Sequence, residues 1–161
     1  MKKRNGWLLA LLALGLAGCG EVQHHQRVGE LEITMPWSRE IPPNAPVAAG
    51  FLSIRNGGAS DDRLVGVRSD AAERVEIHEM RHEDGMARMR ELADGLMIPA
   101  GATVELKPGG YHLMFIAPKD GFRQDGVVPA TLQFDKAGEA EVAFKVRPMT
   151  ATGRPSANTH H

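Results

Sequence analysis

Two short stretches of this 161-residue chain carry residue types able to do chemistry, His78-Glu79-Met80 and His112-Leu113-Met114. Each sets an imidazole and a thioether two residues apart. A thioether is a soft, neutral ligand that suits Cu(I) and serves Zn(II), Mg(II) or Ca(II) poorly, while imidazole is accepted by copper in either oxidation state. The single cysteine, Cys19, closes an apolar N-terminal run, and once acylated it could not serve as a thiolate ligand. A metal site must then use His, Met, Asp or Glu. Thioethers also survive in an oxidising compartment, where paired thiolates would be lost to disulfide. Two His and two Met from several strands could close a roughly tetrahedral shell around such a soft ion.

Strand alternation decides whether these side chains are available. In Arg74–Met80, Val75 and Ile77 share one face and Glu76, His78 and Met80 share the other. An apolar Val/Ile face belongs in a core, so His78 and Met80 are expected to point away from it. In Tyr111–Ala117, Leu113 and Phe115 share the core face. His112 and Met114 then lie on the opposite one, about 6.6–7 Å apart along the strand. The plainer alternative is that outward histidines are solvated and methionines fill core gaps; for Met35, Met97 and Met149 core filling or plain surface placement is preferred. Met89 falls in Met86–Glu91, whose two faces are too mixed to assign. His82 and Met86 flank a hairpin turn and read as solvated loop residues, with a ligand role left open, as it is for Met80. His24-His25 and His160-His161 could form weak accessory Cu(II) or Zn(II) sites on flexible arms, or be incidental polar residues.

The elements that must hold these residues are short. From Glu30 onward, β-branched or alternating runs are punctuated by Asn56-Gly57-Gly58, Asp84-Gly85, Asp94-Gly95, Pro108-Gly109-Gly110 and Lys136-Ala137-Gly138. Strands are expected at 31–35, 47–55, 63–67, 74–80, 86–91, 103–106, 111–117, 130–134 and 140–146. No sustained 3.6-residue period follows the N-terminal run. Eight or nine short strands at this spacing predict an all-β protein, an antiparallel sandwich or barrel.

The N-terminus points to the cell envelope. Lys2, Lys3 and Arg4 precede an apolar run from Trp7 to Ala17 that is too short to span a bilayer comfortably. It ends in Leu16-Ala17-Gly18-Cys19, the pattern of a bacterial lipoprotein signal, so residues 1–18 are expected to be removed and Cys19 lipidated. Gly20 after the cysteine favours the outer membrane over the inner. Residues 19–29 then read as a polar tether, 30–147 as the domain and 148–161 as a flexible Pro-, Thr- and Ser-rich tail. Residues 1–18 hold three of the 19 basic residues and none of the 20 acidic ones, so the mature chain carries a net charge of −4 with histidine neutral. That balance suggests neither nucleic acid nor an anionic lipid surface as partner; the membrane contact expected is the lipid itself. No Gly-x-Ser-x-Gly elbow, His-Glu-x-x-His motif, P-loop or GxGxxG is present, and a blue-copper carrier would need a cysteine ligand. An enzyme is not expected.

Val75-Glu76-Ile77-His78-Glu79-Met80, Met89-Arg90, Ile98-Pro99-Ala100-Gly101 and Lys107-Pro108-Gly109-Gly110-Tyr111-His112-Leu113-Met114 together resemble the periplasmic copper chaperone family PCu(A)C. Met35-Pro36-Trp37-Ser38-Arg39, Ala49-Gly50-Phe51 and Asp62-Arg63-Leu64-Val65 resemble its N-terminal half, so the likeness covers almost the whole mature domain. The family's signature is a His, ten residues, a Met, twenty-one residues and His-x-Met. Here ten residues separate His78 from Met89, and twenty-two separate Met89 from His112. The extra residue is expected in the Ala93-Asp94-Gly95 turn, where it leaves the ladders undisturbed. The resemblance implies His78, Met89, His112 and Met114 as ligands of one Cu(I), on a cupredoxin-like Greek-key β-sandwich. It also implies a periplasmic chaperone supplying the CuA centre of cytochrome c oxidase, with an oxidase subunit or its assembly factor as acceptor. A copper-buffering or resistance protein without a dedicated acceptor is the alternative reading.

Overall fold

Alternating apolar residues carry the chain through eleven strands in the computed structural model, which describes residues 25–152. The strands are β1 (His25–Val28), β2 (Leu31–Arg39), β3 (Val47–Asn56), β4 (Asp62–Arg68), β5 (Arg74–Glu83), β6 (Met86–Glu91), β7 (Leu96–Ile98), β8 (Thr103–Leu106), β9 (Tyr111–Ile116), β10 (Val127–Phe134) and β11 (Gly138–Arg147). The expected signal segment, Cys19, His24 and the terminal His160-His161 lie outside the described residues.

The all-β expectation holds, with two corrections. There are eleven strands among the described residues rather than eight or nine, because β1 and β7 are added. β1 is a mostly polar four-residue strand on the edge of β2, inside the stretch expected as tether. β7 is only three residues long, too short to show a period, yet Leu96 and Ile98 are both buried. Nor is the sheet wholly antiparallel: β2 pairs with β11 and β8 with β9 in parallel.

Following the ladders, β5–β9–β3–β2–β11–β10–β4 closes back on β5 through a Val67–Val75 pairing, which makes a seven-stranded barrel. Closure removes the free edges of the ring. β8 fills in beside β3 and β9, β7 lies on β4, and β6 extends from β5 as the outer strand of a hairpin.

Inward positions recur every second residue, as period-2 geometry demands. Leu52 and Ile54 on β3, Leu113 and Phe115 on β9, and Val142, Phe144 and Val146 on β11 are all buried. Phe115 packs edge-on against Phe122 and Phe144, with ring centroids 5.2 and 5.7 Å away. Gly50 makes room for them, since a Cβ there would lie 2.7 Å from the Phe115 ring.

Two irregularities set the register near the site. The β2–β3 pairing shifts between Thr34 and Trp37, where Met35 takes φ of +52° and Pro36 offers no N–H. The β5–β6 hairpin turns on Asp84 and Gly85, both at positive φ, as a two-residue turn of this type requires. That turn places Met80 opposite Met89 and His78 opposite Glu91.

Candidate metal centre

β9 runs antiparallel to β5, with His112 directly opposite His78 and Met114 opposite Glu76. On the far edge of β5, β6 sets Met89 against Met80. Alternation then puts Glu76, His78, Met80 and His82 of β5 on one outer face with His112 and Met114 of β9 and Met89 of β6. Of the four residues the resemblance implied as ligands, His78 and His112 face each other, Met114 lies one row below them and Met89 one row above, diagonal to His78. Met80 shares the row of Met89. The extra residue between Met89 and His112 is compatible with this arrangement, for residues 92–95 form the turn between β6 and β7, closed by a 2.8 Å bond from Gly95 N to Leu92 O.

The imidazole rings of His78 and His112 have centroids 5.7 Å apart and planes inclined by 39°. With metal–nitrogen bonds of about 2 Å, two imidazoles on one ion place their centroids roughly 5–6 Å apart. The observed spacing therefore suits a shared ion. Each ring has one nitrogen engaged. His112 Nδ1 lies 3.0 Å from the carbonyl of Gly110; a carbonyl only accepts, so the proton sits on Nδ1 and Nε2 keeps its lone pair. His78 Nε2 lies 2.9 Å from Oε2 of Glu76, while its buried Nδ1 has no hydrogen-bond partner. An unpartnered buried nitrogen beside a second imidazole is a vacant donor pair, the feature a metal ligand presents before binding.

The electrostatics keep these nitrogens available. Burial pushes His112 below the ordinary histidine value, against the opposing pull of its bond to Gly110, and any charge on His78 lowers it further. The hydrogen bond from His78, with a second from Arg74, holds the Glu76 carboxyl below its usual range. Glu76 is thus held as an anion beside the imidazole pair.

One expectation needs correcting. His112 lies on the face opposite Leu113 and Phe115, as alternation predicts, but it is 5% exposed rather than outward and solvated. β9 is a central strand here, flanked by β5 and β3. Its neighbour on β3 carries Phe51 on the same outer face, stacked on Trp37 at 4.5 Å between centroids. Ala49, opposite Met114, keeps the outer face of β3 low beside that thioether. His78 is half-buried and Met89 is 46% exposed, so shelter falls away from β9 toward β6.

The remaining chemistry-bearing residues separate. Met86 lies opposite Glu83 and points from the other face of the hairpin. On that face Glu79 is buried between Arg81 at 2.8 Å and Arg90 at 3.0 Å, and these partners, Arg81 foremost, hold its carboxyl below the usual range. His82 is exposed beyond Met80. His25 pairs with Glu32 at 3.1 Å, far along the fold on β1 and β2. Met35 is half-buried, and Met97 and Met149 are exposed. Among the described residues no three or more His, Cys, Asp or Glu side chains group so as to hold a metal ion. Beside His78 and His112, this face also carries the thioethers of Met80, Met89 and Met114.

Sequence reasoning missed two contributors, Glu76 and the Gly110 carbonyl. Glu76 had a signal: it stands two residues from His78 on the same strand face. The Gly110 bond is set by the turn before β9, where Lys107 O also accepts from Gly110 N at 3.1 Å, and no side-chain pattern marks it.

Comparison with known proteins agrees with this fold. A "Putative lipoprotein" of Leifsonia xyli subsp. xyli is 29% identical over 146 residues, covering 86% of both chains. Among solved structures, the copper-bound PCuAC domain from PmoF2 superposes with a TM-score of 0.66 at 25% identity, covering 78% of this chain and 99% of that one. The apo form of the same domain gives 0.68 at 26%, over 81% and 100%. The resemblance to PCu(A)C proteins is borne out in the fold. The family described as "Putative lipoprotein LpqE-like" matches residues 31–146, from the start of β2 almost to the end of β11 and so across every strand of the site, and the chain belongs to that family.

Proposed function

We propose that this protein is a copper chaperone of the bacterial cell envelope that holds one Cu(I) between His78 and His112, completes the shell with Met114 and Met89, and passes the ion to a thiol-bearing acceptor. The observation that carries this reading is the facing imidazole pair, each ring with one nitrogen bonded inside the protein and the other left as a donor, on a face otherwise supplied with thioethers. Soft neutral donors favour Cu(I) over harder divalent ions. Likeness to a domain described as copper-bound supports copper as the metal.

The gradient of exposure supports delivery rather than storage. Neutral thioethers on an exposed strand can be replaced one at a time by thiolates, which bind the soft ion more strongly. The acceptor we favour is the copper domain of a cytochrome c oxidase subunit or its assembly factor. Cys19, as a lipid anchor, would confine the domain to an envelope membrane and raise its effective concentration toward acceptors there. The lipoprotein names of the family and of its relative agree with that placement.

Loading the purified protein with Cu(I), Cu(II) and Zn(II) in parallel tests the ion: one Cu(I) is expected, with Zn(II) roughly a hundredfold weaker or worse. X-ray absorption should give mixed nitrogen and sulfur scattering, and a shell of nitrogen and oxygen alone would sink the ligand set. In cells, deletion should lower oxidase activity under copper limitation, with rescue by added copper. Unchanged oxidase with reduced copper tolerance would establish the buffering alternative. Cys19→Ser should release the protein from membranes or block its processing.

A further inference from the structure

We infer that Glu76 is a positioning residue which selects the metal-binding nitrogen of His78, so that the two histidines bind through unlike atoms, His78 through Nδ1 and His112 through Nε2. The inference rests on the copper reading above and deepens it.

Arg74, Glu76 and His78 alternate along the outer face of β5, so the three side chains form a chain within one strand. The carboxylate is engaged at both oxygens, with Arg74 Nε donating to Oε1 at 2.7 Å and His78 Nε2 donating to Oε2 at 2.9 Å. Arg74 holds the carboxylate from the outer end while His78 occupies the inner one. Since an ionised carboxylate only accepts, it fixes the proton on Nε2 and leaves Nδ1 as the single basic nitrogen of His78. That nitrogen is the buried atom without a partner. Turning the ring over would bring Nε2 toward the vacant position, but only by breaking the bond to Glu76.

His112 is arranged the other way round. Its Nδ1–H is held by Gly110 O, on its own strand's approach, so Nε2 remains. One ring is set by a side chain and the other by backbone, and the side-chain arm is open to substitution. A carboxylate on the far nitrogen also orients a ligating imidazole and raises its basicity, and losing such a partner typically costs metal affinity. Its negative charge additionally offsets that of a bound cation, which the thioethers cannot do.

The test begins without metal. A long-range proton–nitrogen spectrum of the 15N-labelled apo protein at about pH 8, where histidine is neutral, should show His78 protonated on Nε2 and His112 on Nδ1. Addition of Cu(I) should then move the Nδ1 resonance of His78 and the Nε2 resonance of His112. Glu76→Leu should leave His78 as a mixture of tautomers and weaken Cu(I) binding roughly tenfold or more, with the His112 tautomer unchanged. Glu76→Gln, whose amide oxygen can still accept from Nε2, should recover the single tautomer and most of the affinity. Coordination of His78 through Nε2, or a Glu76→Leu protein that folds and keeps both tautomer and affinity, would overturn the assignment. If Glu76→Leu does not fold, the Gln variant and the parent spectrum decide the matter. Should the parent bind no Cu(I), the copper reading fails, while the apo tautomers still report whether Glu76 sets the ring.

Discussion

Truncating His112 to alanine should destabilise the metal-free protein as well as weaken copper binding, because the ring is packed as well as donating. Two losses contribute. The bond from Nδ1 to Gly110 O is worth about 1 kcal/mol, and removing a buried ring from a sheltered position costs about 1–2 kcal/mol more. Gly110 O is not orphaned, since Met80 N also donates to it at 3.1 Å, so no desolvation penalty is added. The total is about 2–3 kcal/mol. For a domain of this size that lowers the thermal midpoint by roughly 6–12 °C. The pH dependence gives a second signature. Burial lowers the His112 value in the folded state, so between that lowered value and the unfolded value of about 6.5 the unfolded chain binds the extra proton. This contribution to stability is complete above about pH 6.5 and is lost as the pH falls toward the lowered value. His112→Ala should abolish that share of the slope. Thermal melts of the apo parent and variant from about pH 5 to 8 measure both effects. A variant midpoint within about 2 °C of the parent at every pH would mean that the ring is solvated, and the burial argument would fail with it.

Three further outcomes follow from the same geometry. Met89→Ala should lower Cu(I) affinity while shifting the apo midpoint by no more than about 0.5 kcal/mol in stability, as expected of an exposed residue; unchanged affinity would transfer the role to Met80, its direct cross-strand partner. Gly50→Ala should destabilise the fold by about 2 kcal/mol, because the new methyl meets the buried Phe115 ring at 2.7 Å and Phe144 at 3.3 Å; a chemical denaturation curve reads this directly. Arg68 bonds both oxygens of Glu139 and, with a weaker hydrogen bond from Gln133, holds its carboxyl down at about 2, so Arg68→Ala should raise the Glu139 value toward the ordinary carboxylate range in an NMR titration.

Much of the site was legible because strands repeat every two residues. Val75-x-Ile77 and Leu113-x-Phe115 place His78, Met80, His112 and Met114 on outer faces, and the fold keeps them there. Alternation gives a face but not what stands beside it, and so the burial of His112 was hidden. That burial depends on β9 being central, between β5 and β3, a fact of topology. Met89 could not be assigned because Met86–Glu91 is exposed throughout and has no apolar half to reveal its register. Its position was nevertheless recoverable. A two-residue Asp84-Gly85 turn fixes Glu83 opposite Met86, and counting back sets Met80 against Met89. β1 and β7 escaped notice because four mostly polar residues and three residues respectively carry too short a pattern to read.

The placement of the donors bears on how the ion would leave. His78 and His112 are contributed by adjacent members of the closed barrel, and the β5–β9 ladder that runs from Arg74 to Glu79 sets them opposite each other. Met89 comes from β6, which among the described residues pairs with β5 alone and is exposed along its length. Strands with few buried contacts open at lower free energy than those in the core. Under the proposed function, the thioether on β6 is the ligand released first, and the imidazole pair keeps the ion until an incoming thiolate has bound it. That order requires no rearrangement of the barrel, only exchange at its outermost strand. It predicts that tying β6 to β5 with an engineered disulfide between Arg81 and Arg88, which face each other beside the Met80–Met89 pair on the other side of the hairpin and would be replaced by cysteines, should slow transfer of Cu(I) to a dithiol acceptor while leaving equilibrium affinity nearly unchanged. Stopped-flow transfer kinetics on the oxidised protein, with the uncrosslinked Arg81→Ser/Arg88→Ser protein as control, measure this. Equal transfer rates would place the first exchange at Met114 or at the histidines instead.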